Sequence, residues 1–284
     1  MSDVGLAAFI DGWPLFRDPA LAGALMGLTL GLVGVYVVIR HLVFLSATLS
    51  QASSLGVALA FLARGHGAPA ALSSPTLGAA LLSLAAASLF ARSHRPHHTR
   101  DDALLGLLYL IGAAGTLAVG TRIAADLADI QTLLFGTAVA VLPEDLKLVL
   151  FTCVLVFALH IWWWRGFAAA STDPVGSRVR KLPVRMLDIT LFVSLALTVS
   201  VCTRVLGALP AFAFSVLPAL GALQLARNLR QALVLAGTFG ALAGFGGYVM
   251  AFLWSLPVGA SQTLIGALTT ITAWAIARLV DRAR

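Results

Sequence analysis

Charged residues are scarce in this sequence. Asp, Glu, Lys and Arg make up 11% of the 284 residues, against about 25% in soluble globular domains. With 60% hydrophobic residues, a soluble chain of this size has no core large enough to hide its apolar surface. Cysteine is equally sparse. Cys153 and Cys202 both lie in apolar blocks, so no disulfide framework is implied. A GxxxxGK[ST] phosphate loop is missing, which excludes ATP hydrolysis by this chain alone. Neither H-E-x-x-H nor G-x-S-x-G occurs, and no nucleophile or metal cluster sits at membrane depth, so an intramembrane enzyme is not indicated. Nor do the interiors of the apolar blocks carry the Asp, Glu or Lys of a proton- or sodium-coupled pump. The energy for any transport then comes from a partner.

What is present is a series of apolar blocks of about 17–23 residues, close to the length a helix needs to cross ~30 Å of hydrocarbon. Nine candidate spans fall at 20–39, 44–63, 75–91, 103–121, 146–164, 186–203, 206–223, 232–254 and 261–279, with eight as the alternative count. The loops hold no soluble domain. Residues 1–284 thus read as one all-α, polytopic transmembrane helical bundle, with spans from roughly 20 to 280. The N-terminus lacks the basic region of a signal peptide. Trp13 and Phe16 suggest a short interfacial stretch ahead of the first span.

The net charge of +7 does not indicate nucleic acid. Of the 19 Lys and Arg, fourteen fall in one set of loops: Arg40, Arg92, Arg95, Arg100, Arg165, Arg178, Arg180, Lys181, Arg185, Arg227, Arg230, Arg278, Arg282 and Arg284. Arg17, Arg64, Arg122, Lys147 and Arg204 occupy the other. The positive-inside rule makes the richer set cytoplasmic, placing the N-terminus outside and the C-terminus inside. The loop 122–145 is then external. Its apolar run from Ile130 to Leu142 is too short to span, and reads as a short re-entrant helix, with a helix lying on the surface as the alternative.

Gly23, Gly27 and Gly31 recur every fourth residue in the first span, and Gly240 and Gly244 do so in the eighth. Small residues at this spacing let helices approach closely. Pro210 and Pro218 fall in the seventh span, where either a kink or a broken helix at a transport path would result.

The most informative stretch runs from Arg40 through His41, Leu42 and Val43 to Gly56. At 100° per residue, Ser46, Ser50, Gln51, Ser53 and Ser54 share one half of the helix surface, with Ala47 among them and Thr48 off it. A neutral polar stripe in a membrane helix either lines a water-filled path or hydrogen-bonds a neighbouring helix, the second being the commoner use of serine. Gln51 points more strongly to a path, because a buried amide needs several partners.

Here the sequence resembles the permease subunit of ATP-binding-cassette importers for zinc, manganese and iron(II). Arg40 to Ala52 is similar to that family's R-R-L-S-F-L-G-D-A-L-S-H-A segment. Leu133-Leu134-Phe135-Gly136 resembles its L-L-F-G-D. Arg204 to Ala208 and Val216-Leu217-Pro218-Ala219 resemble V-x-G-x-L-L-V and L-L-x-L-P-A-A. Leu256-Pro257-Val258-Gly259 resembles the final hairpin. The resemblance implies a bacterial inner-membrane permease working as a homodimer around a central path, with a separate ATPase subunit below and an extracytoplasmic substrate-binding protein outside. No cofactor would be bound by the chain itself; ATP would be used by the partner. The implied cargo is a transition-metal cation, zinc or manganese first. An importer of the same architecture for a metal chelate, and a non-transporting membrane scaffold, are the alternatives.

The departures bear on cargo. The family's Asp and His, four residues apart on one face, are Ala47 and Gln51 here, and the Asp after L-F-G is Thr137. The implied substrate path is Ser46, Ala47, Ser50, Gln51 and Ser54, and it carries no ionisable ligand. His160 and Cys153, seven residues apart, are weak candidates for a soft metal site. His160 precedes Trp162-Trp163-Trp164, where a histidine often only reaches headgroups. His94, His97 and His98 sit among arginines that oppose cation binding. The longest cytoplasmic loop contains Ser171-Thr172-Asp173-Pro174, a favourable helix start. By resemblance it carries the helix that docks on the ATPase, making Ser171, Asp173, Pro174, Arg178 and Arg180 the coupling residues. Its basic side chains also suit anchoring on the lipid bilayer.

Overall fold

In a computed structural model of the chain, residues 6–93, 99–123 and 141–282 are described. The reason they form helices is physical: in hydrocarbon every backbone N–H and C=O must be paired within its own segment. Twelve helices follow among the described residues: α1 Leu6–Asp11, α2 Trp13–Ile39, α3 Val43–Gly65, α4 Pro75–Ser93, α5 Thr99–Ile123, α6 Pro143–Trp162, α7 Trp164–Thr172, α8 Pro174–Val179, α9 Val184–Leu206, α10 Ala208–Leu225, α11 Leu229–Trp254 and α12 Val258–Arg282. Nine are long and apolar enough to cross a membrane, matching the nine expected spans.

The spans divide into an interior and a periphery. In α2, α3, α9 and α10, 61–72% of the apolar window is buried within the chain, whereas in α4, α5, α6 and α12 the figure is 17–28%. The polar stripe therefore lies on one of the most enclosed helices, contacted by α4, α5, α9 and α10. The outer helices expose Leu81, Leu110, Phe151 and Ile271, as lipid-facing surfaces do.

The two glycine series meet each other. Gly23 and Gly27 of α2 lie against Gly244 and Gly240 of α11, so close that a methyl group at Gly27, Gly240 or Gly244 would overlap the opposing backbone, and one at Gly23 would strike the Gln262 side chain. Gly31 faces the Ala236 carbonyl and Gly34 the Ser215 carbonyl of α10. Lipid supplies no hydrophobic drive between spans, so contact of bare backbones sets this pairing.

Several expected boundaries shift. The first span begins at Trp13 rather than 20, and Pro14 in its first turn needs no N–H partner. The expected interfacial stretch is thus α1 plus the opening turns of α2. Phe9 and Phe16 stack with centroids 5.7 Å apart, and both pack on Phe252 of α11. Pro218 lies inside α10 without breaking it, and Pro210 falls in its first turn, so a broken helix is not observed. The break comes one step earlier, at Gly207, whose φ of 106° and ψ of 164° join α9 to α10 through a single residue in a conformation open to glycine alone. Of the expected re-entrant helix at 130–142, residues 130–140, with Leu133 to Gly136 and Thr137, lie outside the described residues, as do His94, His97 and His98.

Candidate functional site: a buried polar stripe tied to a short helix

The stripe begins where α2 hands over to α3. Arg40 closes α2, His41 takes φ 58°, and α3 starts at Val43. The Arg40 side chain turns back into the protein. Its Nη1 pairs with Asp188 of α9, and its Nε donates to the Ser171 Oγ of α7 at 2.8 Å. The first residue of the informative segment therefore binds the loop assigned to coupling.

Along α3, Ser46, Ala47, Ser50, Ser53 and Ser54 are all buried, and Gln51 is half-buried. Four of the five proposed path residues thus lie within the packing of this one chain, and Gln51 alone sits at its edge. There, Gly112 of α5 meets the Gln51 backbone with no room for a Cβ. Ser50 Oγ donates to the Ala47 carbonyl at 2.9 Å. The Oγ atoms of Ser46, Ser53 and Ser54 and the Oε1 of Gln51 have no hydrogen-bond partner among the described residues. Serine used as glue would be paired. Contacts of serine with neighbouring helices therefore do not account for these hydroxyls and the amide oxygen. Thr48, off the stripe, donates to the Phe44 and Leu105 carbonyls and does act as glue between α3 and α5.

In the second candidate pair, His160 and Cys153 each have contacts of their own. His160 is buried rather than reaching the headgroups. Its ring stacks on Phe167 with centroids 4.6 Å apart and lies 5.8 Å from Tyr36, while Nδ1 is 2.9 Å from the Val156 carbonyl. Cys153 points its sulfur at the Leu25 carbonyl, 3.6 Å away. Among the described residues no three His, Cys, Asp or Glu converge. His160 is a member of an aromatic stack between α2, α6 and α7.

The loop expected to couple folds into two short helices. α7 carries Ser171 in its last turn, with Phe167 and Ala170 buried beneath. Asp173 then caps α8, its Oδ1 accepting from the Gly176 N–H at 2.8 Å, and Pro174 opens it. The expected helix start is therefore present, with Asp173 as cap; Ser171 belongs instead to the Arg40 contact. On α8, Val175 and Val179 are 70% and 79% exposed, one turn apart. Arg178 and Arg180 are exposed beside them, and Ser177 is buried as the foot of the helix. A cleft of about 500 Å³ separates α7 from the start of α11, where the Arg230 guanidinium lies 4.6 Å over the Trp164 ring.

Sequence reasoning missed Asp188. Its signal was available: it is the lone acidic residue in an apolar block, and a carboxylate so placed needs a cation.

Comparison with known proteins follows this geometry. The family model described as the ABC 3 transport family matches residues 13–277. A membrane protein of Synechocystis is 27% identical over 266 residues, covering 94% of this chain and 92% of its own. The manganese transport system membrane protein MntC of Listeria monocytogenes is 23% identical over 273 residues, covering 95% and 94%. Among solved structures, the fold is that of a chain in PsaBC from Streptococcus pneumoniae in complex with Fab, with a TM-score of 0.81 at 22% identity and 95% of each chain covered. The protein belongs to the ABC 3 transport family.

Proposed function

We propose that this chain is the membrane-spanning permease of an ATP-binding-cassette importer that carries manganese. It works as a homodimer in a bacterial inner membrane, above a separate ATPase and below an extracytoplasmic binding protein. The observation that carries the reading is the link from α8 through α7 and Arg40 to the start of α3. A capped helix presents Val175 and Val179 to a partner, and Arg40 links its supporting helix α7 to the turn that starts α3. A push on α8 is thereby delivered to the polar helix.

The donor chemistry favours manganese over zinc. With Ala47 and Gln51 in place of Asp and His, the stripe offers hydroxyl and amide oxygens and no imidazole or carboxylate. Such oxygens and water suit harder cations, whereas zinc favours nitrogen and sulfur. An ion passing this stripe keeps part of its water shell, with Gln51 at the edge of the chain contacting that water. Selectivity then rests on the binding protein. The relatives named as manganese transport proteins support the same cargo. The neutral stripe equally suits a metal chelate, which the test must include.

The test is reconstitution in proteoliposomes with the partner ATPase and binding protein, offering manganese, zinc or a manganese chelate. Manganese uptake with stimulated ATP hydrolysis is expected. Stimulation by the chelate alone would reassign the cargo, and no stimulation by any metal would reject the importer reading. In the same system, Arg178→Glu with Arg180→Glu and, separately, Val175→Asp should reduce co-purification of the ATPase. An intact complex with normal turnover in both would remove α8 from the coupling role.

A further inference from the structure

A groove of about 250 Å³ runs between the cytoplasmic ends of α4 and α9. Its wall is apolar, built by Leu84, Ala87, Ile189, Phe192 and Val193. Phe192 meets Phe90 edge-on at 5.4 Å, and Ser83 donates to the Ala196 carbonyl at 3.0 Å deeper in the bundle, so the floor is fixed. The groove opens outward: Ile189 and Val193 on its rim are 45% and 38% exposed. At its mouth stand two guanidinium groups from different helices, Arg92 in the last turn of α4 and Arg185 in the first turn of α9. Both are exposed, and neither forms an ion pair among the described residues. Asp188, one turn along α9 from Arg185, is already held by Arg40.

This lining is amphipathic along one axis, with hydrocarbon walls ending in two unpaired positive charges at headgroup height. A water-soluble anion would not use the apolar wall, and a hydrocarbon would not use the arginines. We propose that the groove binds one anionic glycerophospholipid, its acyl chain between α4 and α9 and its phosphate between Arg92 and Arg185. Guanidinium groups suit phosphate oxygens in bidentate geometry, and anionic lipid gains from each basic side chain near the surface. Arg185 lies six residues beyond the end of α8, so the lipid would brace the start of α9 beside the coupling helix. The proposal does not depend on which cargo is carried or on whether α8 docks an ATPase.

The experiment is native mass spectrometry of the full chain in mild detergent, titrated with phosphatidylglycerol or phosphatidylcholine. The parent is expected to retain one phosphatidylglycerol and to release phosphatidylcholine. Arg92→Gln with Arg185→Gln should lower retention by roughly tenfold or more, as removal of two basic contacts implies. Arg227→Gln, a cytoplasmic arginine away from the groove, should leave it unchanged. Ser88→Trp, an exposed groove position, should block retention with both charges intact, and Arg92→Lys with Arg185→Lys should preserve most of it. Equal retention of the two lipids, or full retention in the double Gln or the Ser88→Trp variant, would overturn the proposal. So would a Ser88→Cys variant that crosslinks to a second copy in native membranes, since the groove would then be an interface between chains.

Discussion

Arg40 and Asp188 are 148 residues apart in sequence and form an ion pair where α2, α7 and α9 meet. The pair joins the end of α2 to the first turns of α9, and the same guanidinium holds Ser171 of α7. Asp188→Asn leaves Arg40 with a charge that is only 11% exposed in its side chain. A fully buried pair loses ~3–5 kcal/mol when one partner is removed. Asp188 is 28% exposed, so a loss of about 2 kcal/mol is expected after solvent screening. The measurement is thermal unfolding of the purified protein, with the exchange Arg40→Asp and Asp188→Arg tested for partial recovery. Unchanged stability in Asp188→Asn would contradict the assignment.

The contact of Gly27 with Gly240 makes a second prediction. Gly27→Leu must push α2 and α11 apart along their whole crossing, at a cost of at least about 2 kcal/mol. The yield of monodisperse protein in detergent should fall sharply. Gly65→Ala, where nothing lies within 4 Å of the added methyl, should change stability by no more than about 0.5 kcal/mol. Similar behaviour of the two variants would mean that α2 and α11 do not cross at these glycines.

The orientation can be read with single cysteines on a background lacking Cys153 and Cys202. Ser177 and Ser261 are buried and would report packing rather than side. Exposed Ala70 and Leu256 lie on the face expected to be external, and exposed Val175 on the opposite one. Ala70→Cys and Leu256→Cys should react with an impermeant maleimide in intact cells, and Val175→Cys only after lysis. The reverse pattern would invert the chain in the membrane.

Ala47 and Gln51 offer a test of the path. Ala47→Asp with Gln51→His places a carboxylate and an imidazole one turn apart on α3. The double variant should retain zinc or manganese through desalting, whereas the parent should retain almost none. Tight binding by the parent would show that the neutral stripe is not where the ion is held, and would return attention to His160 and Cys153.

Much of the fold was legible because the bilayer narrows the choices. An apolar block of about 20 residues has little option but a spanning helix, so the nine spans could be read one at a time. The helix start at Asp173 and Pro174 was legible for a similar reason, since a capping carboxylate and the N–H that donates to it lie three residues apart. The face of α3 that carries the serines also follows from helical geometry. What packs around α3 does not, because beyond its neighbour α4 it meets α5, α9 and α10, which lie farther along the chain.

By itself, then, the sequence determined the helices, their polar stripe and the two glycine series, all properties of segments shorter than one span. Only the tertiary structure decided that Gly27 meets Gly240, that Arg40 takes Asp188 and Ser171, and that His160 is closed into a stack with Phe167. The reason is that lipid solvates every apolar face about equally well. Which faces meet is chosen by shape and by the few buried charges and amides that need a partner, and those partners can lie anywhere in the chain.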